Sequence, residues 1–307
     1  MTHDDGTGGA GSPGTTRPRT LVAFHAHPDD EALLTSGTMA RAAAEGHRVV
    51  LVLATDGGLG LAAERFHEAG RPHGGARTQD GTTGQDGTTA LGALRLEEAQ
   101  ASAQALGTHR IEWLGYADSG SGPDLPDNPV GAVRFCRAPL EEAAERLAAI
   151  VRTERADVLL GYDANGGYGH RDHVRVHQVA RRAAQIAGTP RLLEATVPRD
   201  ALLRGIRLAS RVYRFPPDFD PTSFERAYSA SADITHRIDV HRFIRAKRAS
   251  MAAHASQASG GEGQRTLATF LRIPRPLFDL VFGREWFVDP YAAPGSPLAE
   301  SVFEGLG

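Results

Sequence analysis

Residues 20–31 read Thr-Leu-Val-Ala-Phe-His-Ala-His-Pro-Asp-Asp-Glu. The first five form an apolar run of the length and composition of a buried strand. Two histidines and three carboxylates then crowd around a proline, where a strand more often ends in Gly, Asn or Ser. A dinucleotide site would need G-x-G-x-x-G at this turn, so that backbone amides could approach a pyrophosphate. The turn is instead His27-Pro28-Asp29-Asp30. That exchange argues against a nucleotide cofactor and for chemistry carried by ionisable side chains.

Working outward, EALLTSGTMARAAAEG at 31–46 has helical periodicity closed by Gly46, and HRVVLVLATDGG at 47–58 reads as a second strand. Strand, helix, strand implies parallel neighbours joined by a right-handed crossover. The alternation resumes with a helix at 94–107, a strand at 110–116, a helix at 139–155, a strand at 156–163, a helix through 170–188 and a fifth strand at 191–198. The expected fold is α/β: a Rossmann-like, mostly parallel sheet with helices on both faces and a smaller C-terminal extension. Ligands of such sheets bind outside the carboxyl ends of the strands. FHAHPDDE, ATDGG, LGYADSG and GYDANGGYGHRDH end the first four strands, so four polar clusters should meet at one edge.

The expected organisation is a disordered tail over 1–18, a catalytic core over 19–200 with a flexible insertion at 74–92, and an extension or cap over 201–307 packed on the core. The tail is Gly- and Thr-rich and lacks the apolar surface that would offset the entropy of ordering it. The insertion carries a duplicated QDGTT at 79–83 and 85–89 without an apolar anchor. Beyond residue 200 the clearest features are a helix at 239–257 and an aromatic-rich run at 273–291.

Composition narrows the function classes. With 34 basic and 37 acidic residues and a net charge of −3, no field draws nucleic acid or an anionic membrane. No apolar stretch reaches the ~18 residues of a membrane span, and the N-terminus lacks the order of a signal peptide. The expected partner is a small molecule and the expected location the cytoplasm. The single cysteine, Cys136, rules out an internal disulfide and a thiolate-rich zinc site. Any metal must be held by His, Asp and Glu. Lys247 is the only lysine, an arginine bias that reads as codon usage.

A catalytic zinc takes about three such ligands and keeps a position open for water. His27 and Asp30 can aim an imidazole and a carboxylate at one point as the strand turns into a helix. A third ligand is available from His170, His173 or His177, which share a helical face by their spacing, and spacing alone does not choose among them. His25, two residues before His27, shares its face of the strand and is expected behind the site or in the core.

AHPDDE at 26–31 and YDANGGYGHRDHVRVH at 162–177 resemble, in order, the two motifs of the PIG-L/LmbE-like zinc-dependent deacetylases. These remove acetyl groups from N-acetylglucosamine-type amino sugars and include mycothiol-precursor deacetylases and mycothiol conjugate amidase-like enzymes. The resemblance covers residues 19–180 well and the last third loosely. It implies one Zn2+ per chain, with Fe2+ as the other candidate, held by His27, Asp30 and His173. It implies Asp29 as general base toward the zinc-bound water, His170 as the residue that, when protonated, polarises the amide carbonyl or stabilises the oxyanion, Tyr168 as a loop residue that swings toward the substrate and assists the oxyanion, and Asp172 as a carboxylate that orients His170. Arg95 and Asp118 match residues that contact the sugar hydroxyls. Arg171 stands where the family has proline, which puts a cation beside His170. Asp56 is expected at the pocket wall, although the family more often has Gly-Glu near this position, and His254 resembles a recurrent family feature, expected in packing or at the rim.

The implied activity is hydrolysis of an N-acetyl group from an N-acetylglucosamine-containing small molecule. The alternatives are an amidase of a thiol conjugate, a deacetylase of a glycosylated natural product, a non-catalytic metal-containing sugar-binding protein and a two-metal phosphoesterase.

Overall fold

The computed structural model describes residues 17–59, 90–211, 214, 220–258, 266–293 and 295–307. Most of the expected tail and the QDGTT insertion lie outside these residues.

Seven strands form one sheet in the order β3-β2-β1-β4-β5-β7-β6: β1 Thr20–His25, β2 Arg48–Thr55, β3 Arg110–Tyr116, β4 Val158–Tyr162, β5 Arg191–Thr196, β6 His236–Asp239 and β7 Arg284–Val288. The first five are parallel, and β7 pairs antiparallel with both β5 and β6. Strand order reverses between β1 and β4, so a crevice opens at the carboxyl ends of these two strands. The two sequence motifs end those same strands. β1 and β2 are buried along nearly their whole length, as strands covered by helices on both faces must be.

The helices used below are α1 Asp30–Leu34, α2 Ser36–Ala44, α3 Ala90–Ala105, α4 Leu140–Thr153, α5 Arg171–Ala187, α6 Arg199–Ala209 and α7 Ile244–Ala253. The single helix expected over 31–46 is two, broken at Thr35 (φ −135°, ψ −9°). The physical cause is distant in sequence. Glu285 of β7 accepts the amides of Gly37 (2.8 Å) and Thr38 (2.7 Å), satisfying orphan donors at the start of α2. Lys247 of α7, buried beside it, donates to Glu285 Oε1 (2.6 Å) and to the carbonyl of Leu33 at the end of α1 (2.7 Å). Thr35 meanwhile pairs with His25 Nε2 (2.9 Å). The break therefore rests on a buried ion pair supplied by the last third of the chain. That third adds β6 and β7 to the sheet and lays α7 against α3, α2 and α1. Among the described residues no helix is long and apolar enough to cross a membrane.

Candidate active site

β1 delivers His27 to the crevice, and the chain turns at once into α1. Asp29, at that turn, has φ 117°, a left-handed conformation that costs a side-chain-bearing residue energy and has to be held by its surroundings. Asp30 accepts the amide of His27 (2.9 Å), which ties the turn back on itself. From the other side of the switch point, β4 runs into the Gly166-Gly167-Tyr168-Gly169 turn and then α5, which begins at Arg171 with His170 as its N-cap. Gly166 has φ +60°, and a Cβ there would lie 2.5 Å from the amide of Val174, so only glycine lets this turn sit on the first turn of α5.

The two motifs meet. Asp30 Oδ2 lies 3.3 Å from His27 Nδ1, and Asp30 Oδ1 lies 3.2 Å from His173 Nε2. His27, His170 and His173 each offer a ring nitrogen within 4.8 Å of the other two. His173 Nε2 is buried with no hydrogen-bond partner among the described residues, although burying an unpaired polar atom is costly. An orphaned imidazole nitrogen facing a carboxylate shared with a second imidazole fits a divalent ion. The chemistry of the set, two imidazoles and a carboxylate with a third imidazole alongside, suits zinc. His177 faces elsewhere, toward Glu194 Oε1 (3.1 Å) and the carbonyl of Tyr162 (3.1 Å).

A layer of contacts surrounds these groups. His27 Nε2 lies 3.2 Å from Asp172 Oδ2 and 3.5 Å from Asp118 Oδ1. Asp172 also accepts the amide of Ser119 (2.9 Å), and Asp118 accepts those of Gly120 (2.8 Å) and Leu59 (3.0 Å). Carboxylates on the far nitrogen of a ligating histidine fix its orientation and raise its basicity. The carboxylate of Asp172 thus lies on His27, while its backbone amide donates to His170 Nδ1 (3.2 Å). Burial alone would lower the pKa of His27, but the three carboxylates around it outweigh that and hold it well above the usual value. For His170, burial first and then His27 and His173 push the pKa down to about 4. Arg171 turns away, its guanidinium donating to the carbonyls of Gly122 and Asp124 (3.2 Å for the latter). Burial, followed by the charge of Asp30, pushes the Asp29 carboxyl up to about 6, against the opposing pull of Arg95, His254 and His27.

Arg95, buried on α3, donates to the carbonyl of Gly57 (2.5 Å). The Tyr168 ring is 58% exposed at the mouth and stands 5.0 Å from the His173 ring. His25 is a core residue, bonded to the Tyr162 hydroxyl (2.7 Å). Asp56 accepts the amide of Gly58 (3.0 Å) at the end of β2. The sequence reading did not single out Glu31 or Tyr228. Glu31 is fully buried, and its Oε2 accepts the amide of Asp29 (3.1 Å). Tyr228, at φ 54°, donates its amide to the carbonyl of Gly167 (2.8 Å) and braces the glycine turn. Glu31 was within reach of sequence reasoning as the last letter of HPDDE, whereas Tyr228 carries no local signal.

Residues 22–184, more than half of the chain, match the family described as PIG-L, GlcNAc-PI de-N-acetylase. The chain belongs to the PIG-L family. One relative, from Thermobifida fusca, is 37% identical over 78% of this chain and 84% of its own length; it is named 1D-myo-inositol 2-acetamido-2-deoxy-alpha-D-glucopyranoside deacetylase. A Streptomyces avermitilis protein of the same name is 35% identical over 94% of this chain and 97% of its own. Among solved structures, the A40926 pseudoaglycone deacetylase superposes with a TM-score of 0.52 at 18% identity, covering 91% of this chain and all of that one. At that identity the likeness speaks for the PIG-L fold alone.

Proposed function

We propose that this chain is a metal-dependent N-deacetylase whose substrate class is N-acetylglucosamine linked to inositol, the class in the names of these relatives. The observation that carries this reading is the placement of Asp29, with its raised pKa, beside His27, Asp30 and His173. A site that only held a cation would have no use for a base there. His27, Asp30 and His173 are the proposed ligands of one ion, zinc by donor type, with iron(II) accepting the same donors. Bound there, the ion supplies Lewis acidity to the acetamide carbonyl and acidifies water.

The remaining steps belong to the side chains. Asp29, poised near 6, takes a proton as a water oxygen bonds to the carbonyl carbon. His170 accepts from Asp172 at Nδ1, so its neutral ring carries a proton on Nε2 for the oxygen that gains negative charge. As the C–N bond breaks, the proton held by Asp29 passes to the nitrogen, and acetate and a free amine leave. Asp172 and Asp118 hold His27 in orientation, Arg95 presents donors to the sugar hydroxyls, and Tyr168 covers the acetyl group from the mouth.

The test is to strip the protein with a chelator, reload one equivalent of zinc and follow primary-amine release from acetamidoglucosyl-inositol. Turnover should vanish and return with the ion. A fully loaded protein that frees no amine from this or any other N-acetylglucosamine conjugate would overturn the reading.

A further inference from the structure

The base at this site sits in a conformation that its own residue type disfavours. Asp29 lies at φ 117°, in the region where glycine is ordinary and a residue with a Cβ is not. Such strain persists only where neighbours over-determine it. Among the described residues, the only side chain that bonds the Asp29 backbone is Glu31, whose Oε2 takes the Asp29 amide (3.1 Å). Glu31 is itself pinned. Its Oε1 lies 2.6 Å from His254 Nε2 and accepts the Ser102 hydroxyl (2.6 Å). Glu31, His254 and Ser102 are all fully buried.

His254 lies 223 residues from Glu31, at the end of α7, where the chain leaves the helix (φ −79°, ψ 60°). Two neighbouring bonds fix that exit. Ser256 donates its amide and its hydroxyl to Glu98 of α3 (2.6 Å each), and Ser250 of α7 pairs with Ser102 (2.7 Å). The imidazole is thus wedged behind the α1 turn from outside the motif that carries the base.

We infer that His254 is a positioning residue for the reaction: it holds Glu31 so that Glu31 holds the Asp29 backbone in its left-handed conformation, aiming the base. This rests on the function proposed above, and it gives the C-terminal third of the chain a part in catalysis beyond packing. A misplacement of about 1 Å at a reacting group costs roughly 10²-fold in rate, which sets the size of the expected effect.

The decisive pair is His254→Gln and His254→Asn. A glutamine amide reaches the place of the imidazole Nε2 and can still donate to Glu31, whereas asparagine ends near Nδ1 and cannot. Both are polar and smaller than histidine, and the melting temperature of each, measured beside kcat, separates a loss of stability from a loss of positioning. With zinc content measured on the same samples, the glutamine variant should keep kcat within about tenfold of the parent. The asparagine variant should lose about 10²-fold in kcat, with KM within about twofold and one zinc per chain retained. Equal kcat in the two His254 variants, or losses that track lost zinc, would overturn the inference.

Crystal structures of the variants read it independently of turnover. Asp29 should stay near φ 117° with glutamine and relax with asparagine, and an unmoved Asp29 in the asparagine variant would also overturn it. A parent enzyme inert on every amide would instead overturn the function and leave this backbone test standing.

Discussion

Asp29 and Asp30 carry the same side chain one position apart, and the fold sends them to different neighbours. Asp30 reaches His27 and His173, which hold its carboxyl well below the usual carboxylate range despite burial. Asp29 has no hydrogen bond to either ring among the described residues, and burial followed by the charge of Asp30 pushes its pKa up to about 6. The two should therefore fail differently. Asn tolerates positive φ better than most residues, so Asp29→Asn should keep its conformation and its metal while kcat falls by about 10²–10⁴-fold, the usual contribution of a general base. Asp30→Asn should instead lose the ion. Metal analysis alongside amine-release kinetics separates these outcomes, and an Asp29→Asn protein with parental kcat would remove the base from the mechanism.

The break between α1 and α2 joins elements at opposite ends of the chain. Glu285 caps α2, and Lys247 neutralises Glu285 while donating to the Leu33 carbonyl of α1. Both charged side chains are almost wholly buried, at 1% and 2% exposure. A pair of this kind adds little over a well-packed apolar pair, but removing one member strands the other. Lys247→Met should destabilise the fold by about 3–5 kcal/mol, seen as a lower urea midpoint, and a change under 1 kcal/mol would mean that the pair is dispensable. Since α1 carries Asp30, the same variant should also weaken metal binding. Sequence periodicity over 31–46 shows one continuous helix because the cause of the break lies about 250 residues away. His27 and Asp30 were legible for the opposite reason, since they sit where β1 turns into α1 and local sequence aims both at one point; spacing left His170, His173 and His177 open, and the choice of His173 came from the family resemblance. The partners of Asp172 and the burial of His254 against Glu31 depend on tertiary contacts, which no spacing encodes.

For the molecule as a whole, the expected alternation of strands and helices is realised through β5, and the remaining sheet is completed by chain from beyond the second motif. β7 enters antiparallel against β5, which is why the pattern that identifies parallel units fades after residue 200. One consequence concerns acid. Burial, reinforced by the Arg191 cation, lowers His236 of β6 from 6.5 to about 4, and burial lowers His25 of β1 to a similar value. Between pH 6.5 and 4 the unfolded chain binds protons at these two histidines that the folded chain refuses, so their contribution to stability falls as pH drops through that window. His236→Gln should flatten the fall in melting temperature over this range without abolishing it, since His25 still contributes with the same sign. An unchanged slope would mean that His236 already takes up its proton in the fold. Lys247 has a further, practical consequence. It is the only lysine in 307 residues, and it is sealed in the interior. Reagents that acylate ε-amines will find no side-chain target on the native surface, so covalent labelling at this position becomes a reporter of unfolding, and immobilisation or fluorophore attachment has to use other chemistry.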